Sequence, residues 1–189
     1  GKSSIMSLGK FSSSGKLAEI SDGFNVDIVL NELLRVLKKC NMFIFCSNKQ
    51  ISKIMKWGED RDFYTTCLVW HKYNSALFAN GVWRSDIEFC IHIREKGAYF
   101  EGDASLKQKV TKLPNNPSEF GHPTEKPIAL INKYLNIGAT KGHKVFDPFM
   151  GSGTIAIACK SLGLDYVGCE LDKDYYEILK ESYITIKET

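Results

Sequence analysis

The chain has 189 residues, of which 43% are hydrophobic and 25% are charged, and its formal net charge is +3. This length and composition predict one soluble globular domain over residues 1–189, large enough for a sizeable core. No apolar run approaches the ~20 residues of a membrane span, and no signal peptide precedes the first predicted helix, so we expect a cytoplasmic protein. The net charge permits nucleic-acid binding without arguing for it.

The first two dozen residues are rich in Ser, Gly and Lys and are predicted to form a loop. From Val26 onward, apolar residues recur with helical spacing, and Asn25 is placed to cap that helix. The next predicted elements are a buried strand over Asn41–Cys46, a short helix over Ile51–Trp57 that Gly58 ends, and strands over Thr65–Trp70 and Ile87–Ile93.

Glu95–Gly121 carries Lys, Asn and Pro with little periodicity and is predicted to be a long loop, which in a compact domain is usually functional or disordered. Helices and strands then alternate to the end of the chain. Their predicted ranges are Pro127–Leu135, Lys144–Phe146, Thr154–Leu162, Asp165–Cys169 and Asp174–Ile186. This alternation predicts an α/β fold with a mostly parallel sheet and helices on both faces.

The six cysteines are scattered along the chain and form no C-x-x-C pair. Several occupy apolar positions of predicted strands or helices. We therefore expect buried free thiols in a reducing compartment rather than disulfides or a zinc site, and no metal site is predicted.

The most informative pattern is an apolar strand that begins at Lys144, runs into a glycine-rich turn and opens a helix at Thr154. Such a turn leaves backbone N–H groups unpaired at a helix N-terminus, beside a backbone bare enough for a ligand to approach closely. It therefore predicts an anionic or nucleotide-like ligand. Glu170 stands at the end of the next apolar run, where a carboxylate can accept hydrogen bonds from both hydroxyls of a ribose.

The segment from Gly151 to Ala156 also fits the loose dinucleotide pattern G-x-G-x-x-(G/A), although two glycines alone fit a plain tight turn equally well. Two neighbouring features argue against a nicotinamide site. Asp147-Pro148-Phe149 precedes the glycines, where a nicotinamide strand normally runs straight into the first glycine. Only one further helix follows, which is too little to complete the second half of a nicotinamide domain.

Asp147-Pro148-Phe149-Met150-Gly151-Ser152-Gly153-Thr154 resembles motif I, the cofactor loop of DNA amino-methyltransferases. These enzymes use S-adenosylmethionine to methylate the exocyclic nitrogen of adenine or cytosine. Upstream, His122-Pro123-Thr124-Glu125-Lys126-Pro127 resembles their motif X. The order of these motifs, followed by Gly168-Cys169-Glu170-Leu171-Asp172, is similar to the permuted beta arrangement, in which the catalytic half precedes the cofactor half.

The resemblance implies a Rossmann-like methyltransferase fold. Residues 1–94 would form part of the catalytic half, 95–121 the target-recognition loop and 122–189 the S-adenosylmethionine-binding half. Thr124 and Lys126 would lie near the methionine end of the cofactor, and Asp147 close to its amino group. The implied cofactor-binding residues are Thr124, Lys126, Asp147, Pro148, Phe149, Gly151, Ser152, Gly153, Thr154 and Glu170.

Simpler interpretations of the same residues stay open. Lys126-Pro127 also fits a plain helix start, and Phe149 is equally suited to core packing. Asp147 also fits a structural cap of the turn, and Glu170 also fits a surface carboxylate. The segment Trp70–Asn74 combines aromatic and basic groups that fit a flipped base or a phosphate, and it fits an ordinary strand end as well. His71 and His92 are predicted to be structural.

The catalytic D/S-P-P-Y/W loop of the family, motif IV, is absent, because the chain contains no Pro-Pro pair. No catalytic residue is therefore assigned. In the beta order this loop would lie just before the serine-rich start, and the strand leading into it would be central, next to Asn41–Cys46. Three explanations are open: the N-terminal part lies outside this sequence, which we favour, another chain supplies the strand, or the protein is a degenerate remnant.

The favoured function is methylation of adenine in double-stranded DNA with S-adenosylmethionine, within restriction-modification or as an orphan enzyme. Alternatives are a cytosine-N4 DNA methyltransferase, an inactive cofactor- and nucleic-acid-binding remnant, and an RNA or protein methyltransferase, against which motif X argues. Lys107, Lys109 and Lys112 are candidate phosphate contacts, although a solvated face explains them equally well. The oligomeric state, with a homodimer left open, and the recognition sequence are not predicted.

Overall fold

The computed structural model of the protein describes residues 2–7, 25–77, 81–115, 126–151, 153–173 and 176–177. Seven strands of this part form one sheet in the order β5-β3-β4-β2-β1-β6-β7. The strands are β1 (Lys2–Ser7), β2 (Asn41–Cys46), β3 (Tyr64–Lys72), β4 (Ile87–Arg94), β5 (Val110–Leu113), β6 (Lys144–Asp147) and β7 (Asp165–Gly168). The helices are α1 (Val26–Val36), α2 (Asn48–Glu59), α3 (Ile128–Gly138) and α4 (Thr154–Ser161).

The sheet is parallel except for one strand. β1 pairs in parallel with β2 and β6, β6 with β7, and β3 with β5, whereas β4 runs antiparallel to β2 and β3. The C-terminal ends of six strands and the start of β4 therefore share one edge, here called the carboxyl edge. The opposite edge is called the amino edge. In open α/β sheets ligands bind at the carboxyl edge.

Helices cover both faces of the sheet, as predicted. Every residue of β2 is buried, and its side chains alternate between two cores. Phe43 and Phe45 pack with residues of α3 and α4, whereas Met42 and Ile44 pack with residues of α1 and α2. The α/β class and the mostly parallel sheet are thus confirmed.

The predicted N-terminal loop is wrong for Lys2–Ser7, which forms β1 between β2 and β6. Ser4 is in register with Met42 on one side and with Phe146 on the other. The explanation that the central strand next to Asn41–Cys46 lies outside this sequence, or is supplied by another chain, is therefore wrong for that strand. Backbone pairing on both sides explains why a polar stretch forms a central strand there, since β2 and β6 would otherwise each leave a row of backbone groups unpaired.

Gly58 does not end α2, which continues to Glu59. Gly58 is buried, and a Cβ at this position would lie 2.6 Å from Cγ2 of Thr65. The glycine therefore serves the close approach of helix to strand. This prediction failed because the same residue type marks both helix ends and close helix–strand contacts.

The predicted loop over 95–121 is wrong in part. Val110–Leu113 forms the edge strand β5, paired in parallel with β3, and Ala104–Lys107 forms one turn of 3-10 helix. Residues 116–121 of this segment lie outside the described part, as does most of the predicted last helix.

Two local predictions, the cap of α1 and the free thiols, are confirmed. The Asn25 side chain accepts hydrogen bonds from the backbone N–H groups of Asp27 and Ile28 at 3.0 and 3.2 Å, so it caps α1. The cysteines are free thiols, of which Cys40, Cys46, Cys90 and Cys159 are buried. Within the described ranges, no helix has the length and apolar character needed to cross a membrane.

Candidate functional site

The glycine turn between β6 and α4 is tight and partly covered, with Gly151 half-buried and Gly153 buried. Gly151 and Gly153 have φ values of +48° and +77°, in the left-handed region that side chains disfavour. The Gly153 N–H donates to the carbonyl of Met150 at 2.8 Å, and the Gly151 N–H donates to Glu170. The expectation of unpaired N–H groups is therefore wrong for these two glycines, and the chain reverses within a few residues before α4 begins at the buried Thr154.

Asp147 ends β6 beneath this turn and is 1% exposed. Its Oδ1 accepts a hydrogen bond from the Phe149 backbone N–H at 3.1 Å. The pKa of Asp147 is raised to about 7, because burial and the nearby Glu170 charge raise it by more than the Phe149 hydrogen bond lowers it. No ion pair formed among the described residues includes Asp147. A cation brought to this carboxyl group would favour its charged form.

Glu170 reaches from the end of β7 to the glycine turn. Its Oε2 accepts from the Gly151 backbone N–H at 2.7 Å, and its Oε1 accepts from the Asp172 backbone N–H at 2.8 Å. Cys169, which follows β7, also binds the end of β6 and the turn. Its N–H donates to the Asp147 carbonyl at 2.9 Å, and its carbonyl accepts from the Met150 N–H at 3.0 Å. These hydrogen bonds hold the Glu170 carboxylate next to the glycine turn.

The Met150 side chain packs against β7 beside the turn. A Cβ at Gly168 would collide with the Met150 side chain, so this thioether lies directly on the glycine backbone. The Tyr166 hydroxyl lies 3.8 Å from the Met150 sulfur. Gly168 thus permits a close contact between β7 and the turn.

The structure brings together Asp147, Gly151, Gly153 and Glu170 from the predicted cofactor set. Pro148 and Phe149 are half-buried, and Phe149 packs against the core formed with α1 and α2. Thr124 and Ser152 lie outside the described residues. This arrangement is called the cofactor corner below; it consists of Asp147, the glycine turn and Glu170.

Lys126 lies at the same edge of the sheet and is 7% exposed. Its Nζ lies 3.2 Å from Oε2 of Glu88 and 5.3 Å from the centroid of the Phe45 ring. The second oxygen of Glu88 pairs with Nζ of Lys72 at 2.5 Å. Lys72, Glu88 and Lys126 together are called the ion cluster.

The ion cluster places one carboxylate between two ammonium groups, so its formal net charge is +1. Burial alone would raise the pKa of Glu88, but the charges of Lys126 and Lys72 hold it below its ordinary value. The cluster joins the end of β3, the start of β4 and the entry to α3. Its contribution is to fix Lys126 at the carboxyl edge.

Sequence reasoning missed Lys72 and Glu88 as partners. The only signal is the antiparallel register of β3 and β4, in which Trp70 is opposite Glu88. That register depends on the loop between the strands and not on either strand alone.

The three candidate phosphate-binding lysines are not brought together. Lys112 lies in β5 opposite His71, near the carboxyl edge. Lys107 lies near the amino edge with its Nζ 5.0 Å from the Phe100 ring centroid, and Lys109 precedes β5. Only Lys112 thus shares an edge with the cofactor corner.

His92 is structural, as predicted. Its Nε2 lies 2.9 Å from Oδ1 of the buried Asn41, and its ring stacks on Phe43 with centroids 4.1 Å apart. Burial, together with the smaller effect of the Arg94 charge, lowers the pKa of His92 to about 3, so the imidazole is neutral.

Comparison with known proteins identifies the family. Residues 24–181 match the family model described as DNA methylase, that of the N6/N4 methyltransferases. This match covers more than half of the sequence, so the chain belongs to the DNA methylase family, as the motif resemblance predicted.

Two curated relatives are similar over shorter stretches. The type II methyltransferase M.HpaI of Haemophilus parainfluenzae is 39% identical over 66 residues, 35% of this chain and 21% of that protein. The type II methyltransferase M2.DpnII of Streptococcus pneumoniae is 33% identical over 85 residues, 45% of this chain and 30% of that protein. The matched stretches thus span less than a third of these relatives.

A solved structure is similar over nearly the whole fold. The crystal structure of the M1.HpyAVI–SAM complex superposes with a TM-score of 0.75 at 25% sequence identity. The superposition covers 95% of this chain and 87% of that one. The arrangement of the sheet and its helices is therefore that of this SAM complex.

Proposed function

We propose that the protein is an S-adenosylmethionine-dependent methyltransferase that methylates the exocyclic amine of adenine in double-stranded DNA. The observation that carries this proposal is the cofactor corner, where the Glu170 carboxylate lies 2.7 Å from the Gly151 N–H above the buried Asp147. Membership in the DNA methylase family supports the same conclusion.

The residues of the corner fit this cofactor. Glu170 carries a carboxylate whose acceptor capacity suits two ribose hydroxyls. Asp147 is a buried carboxyl group at the end of β6, which suits a cationic amino group. Gly151 and Gly153 lack side chains, which would let the backbone approach the ligand. When bound, the cofactor supplies a methyl group on a sulfonium, and these residues hold and orient it.

The remaining predicted cofactor residues are proposed in supporting positions. Lys126, fixed by Glu88, would face the methionine end with Thr124. Pro148, Phe149, Ser152 and Thr154 would line the turn. We assign no residue to activation of the target amine, because the D/S-P-P-Y/W loop is not in this sequence and residues 8–24, which follow β1, contain no proline.

Two further functions are open. Cytosine-N4 methylation in DNA is the second candidate, because the residue that would help to choose the target base belongs to that loop. A remnant that binds cofactor and nucleic acid without turnover is the third, and the absence of a Pro-Pro pair favours it.

A binding experiment tests the cofactor corner. S-adenosylhomocysteine is expected to raise the melting temperature of the protein, whereas NAD leaves it unchanged. Glu170→Gln is expected to weaken binding by roughly ten-fold or more, since hydrogen bonds to a charged acceptor are lost. Glu101→Gln, which alters an exposed carboxylate outside the corner, is the matched control. Stabilisation by NAD alone would overturn the proposal.

A transfer experiment tests the reaction. Tritiated methyl groups from S-adenosylmethionine are offered to unmethylated plasmid by this chain and by the product of its whole reading frame. Labelled N6-methyladenine in the digested DNA is the expected result, and labelled N4-methylcytosine would establish the second candidate. Cofactor binding without incorporation by either protein would establish the third, and label in RNA or protein offered in a parallel reaction would overturn all three.

A further inference from the structure

We propose that a cavity at the amino edge of the sheet binds a small phosphate-bearing anion. The cavity has a volume of about 590 Å³ and is lined by residues within the segments 38–41 and 94–101 and by His143. None of these residues belongs to the cofactor corner or to the ion cluster. The site therefore lies outside the proposed function and does not depend on it.

The sheet brings residues that are distant in the sequence together at this cavity. Arg94 ends β4, where it is in register with Asn41 at the start of β2 and with Tyr64 at the start of β3. Because β4 runs antiparallel, its end meets the beginnings of its neighbours at the amino edge. Lys38 and Lys39 lie between α1 and β2 and so reach the same edge. Three cations thus line one cavity, at the opposite edge from the cofactor corner.

The half-buried Arg94 is held by aromatic rings that leave its donors available. Its guanidinium carbon lies 4.5 Å from the ring centroid of Tyr64 and 4.5 Å from that of Phe100. Contacts with ring faces fix a guanidinium without using its five N–H donors. Among the residues that the structure describes, no ion pair or side-chain hydrogen bond involves this guanidinium. Its forked donors match the oxygens of a phosphate group.

The two lysines add to the positive charge of the cavity. Lys39 Nζ lies 3.4 Å from the Lys96 carbonyl, and a Cβ at Gly97 would lie only 2.9 Å from that Nζ. The ammonium group therefore lies directly over the glycine backbone. Lys38, Lys39 and Arg94 share the lining with one carboxylate, that of Glu101, so the formal charge of these four side chains is +2.

The wall formed by residues 95–101 is fixed to the sheet. Glu95 Oε2 accepts a hydrogen bond from the Cys40 N–H at 2.9 Å, which occupies the other carboxylate of this segment. Asn41 Nδ2 donates to the Tyr99 carbonyl at 2.8 Å, and Asn41 is 2% exposed. A wall held in this way is formed before the ligand arrives, which lowers the entropy cost of binding.

The chemistry of the lining favours recognition through phosphate. A phosphate monoester carries a charge of about −1.5 to −2 at pH 7, which matches the lining better than a single carboxylate does. The Phe100 ring already contacts His92, Arg94 and Lys107, with distances of 5.5, 4.5 and 5.0 Å to its centroid, so little of its face is left for a base. The volume is in the range of sites for small organic ligands. A concave site with a half-buried arginine favours such a ligand over the backbone of a duplex.

Isothermal titration calorimetry with pyrophosphate at constant ionic strength tests the site. We expect one ligand to bind per chain and Arg94→Lys to weaken binding roughly ten-fold, because the charge stays while the forked donors are lost. Arg61→Lys is the matched control, since Arg61 also stacks on an aromatic ring, 4.1 Å from the Trp57 centroid, but lies outside the cavity. Equal affinities for all three proteins, or no binding by the wild type, would overturn the proposal.

A second variant keeps the test decisive where Arg94→Lys does not fold. Lys38→Ala combined with Lys39→Ala changes two exposed side chains and leaves the core untouched. The loss of two positive charges is expected to weaken pyrophosphate binding roughly ten-fold. Lys49→Ala combined with Lys53→Ala, at exposed positions of α2, removes the same charge elsewhere and should leave the affinity unchanged. Equal losses in the two double variants would reduce the effect to net charge and overturn the site.

Competing ligands identify the recognised group and its place. Glycerol 3-phosphate is expected to displace pyrophosphate, whereas glycerol is not, and equal displacement by both would overturn recognition through phosphate. Saturating S-adenosylhomocysteine should leave the pyrophosphate affinity unchanged, because the cofactor corner lies at the other edge. Displacement by S-adenosylhomocysteine would overturn the site by placing the anion in that corner. Displacement by duplex DNA in the wild type but not in Arg94→Lys would overturn the small ligand and assign the cavity to DNA.

Discussion

The cofactor corner and the ion cluster share the carboxyl edge but consist of different kinds of chemical group. The corner depends largely on backbone groups of one continuous segment, to which Glu170 adds a carboxylate 19 residues from Gly151. The ion cluster consists of three charged side chains from three separate elements. Changes in the corner should therefore act mainly on ligand binding, whereas changes in the cluster should act mainly on stability.

The largest effect is expected from Glu88→Ala. The substitution removes the carboxylate that contacts both the half-buried Lys72 and the buried Lys126, which costs about 3 kcal/mol of the free energy of unfolding. Because the folded pKa of Glu88 is lowered, the stability that it contributes is present above the ordinary value of 4.5 and is lost as the pH falls through the folded value. Urea unfolding across this range measures both effects.

The control for this substitution is Lys56→Ala, which removes the exposed pair between Lys56 and Asp60 on α2. Exposed pairs contribute little, so the control should unfold almost as wild type does. Equal losses of unfolding free energy in the two variants would show that burial does not strengthen the ion cluster. That result would contradict the contrast between the two regions.

The next effect concerns the pH dependence set by Asp147. Its folded pKa of about 7 lies above the ordinary value of 3.8, so the folded state binds more protons in this window and stability falls as pH rises through it. Between about pH 5 and about pH 7 the difference in unfolding free energy between wild type and Asp147→Asn should change by about 2 kcal/mol. Parallel stability curves for the two proteins would contradict this expectation.

A smaller effect on stability, but a specific one on binding, is expected from Gly153→Ala. The substitution places a side chain at a φ of +77° and costs about 1 kcal/mol. Gly142→Ala imposes similar strain at a φ of +87°, where a Cβ meets nothing within 4 Å. We expect similar melting temperatures for the two variants, but loss of S-adenosylhomocysteine affinity only for Gly153→Ala, as measured by calorimetry.

The smallest effect separates the candidate lysines. Lys112→Ala is expected to weaken DNA binding by roughly two- to four-fold and to reduce the salt slope by about 0.9, the contribution of one phosphate contact. Lys107→Ala, near the amino edge, should leave both values nearly unchanged. A larger loss for Lys107→Ala would place DNA on the opposite edge of the sheet.

The parts of the molecule that follow local rules were predictable from the sequence. The Asn25 cap, the apolar strand β2 and the glycine turn each depend on neighbouring residues, and each lies where the pattern indicated. Glu170 was predicted from its spacing to the turn, and the structure places its carboxylate there. The packing of helices on both faces of the sheet was predictable from the alternation of helices and strands.

The parts that depend on distant partners were not predictable. β1 has a polar sequence and is recognised as a strand only by its pairing with β2 and β6. β5 is a four-residue edge strand that pairs with β3, from which β4 separates it in the sequence. The ion cluster requires the register of β3 against β4 and the position of Lys126, none of which a local pattern contains.

The reversed direction of β4 has a consequence for how the ligand side of the sheet is built. In a wholly parallel sheet, each element that adds side chains to the ligand side needs a helical crossover, which ties it to the core. Here β4 returns from β3 as a hairpin, so the loop between them reaches the carboxyl edge without a crossover. A change in the length of this loop is therefore expected to leave the paired strands and the cofactor corner undisturbed.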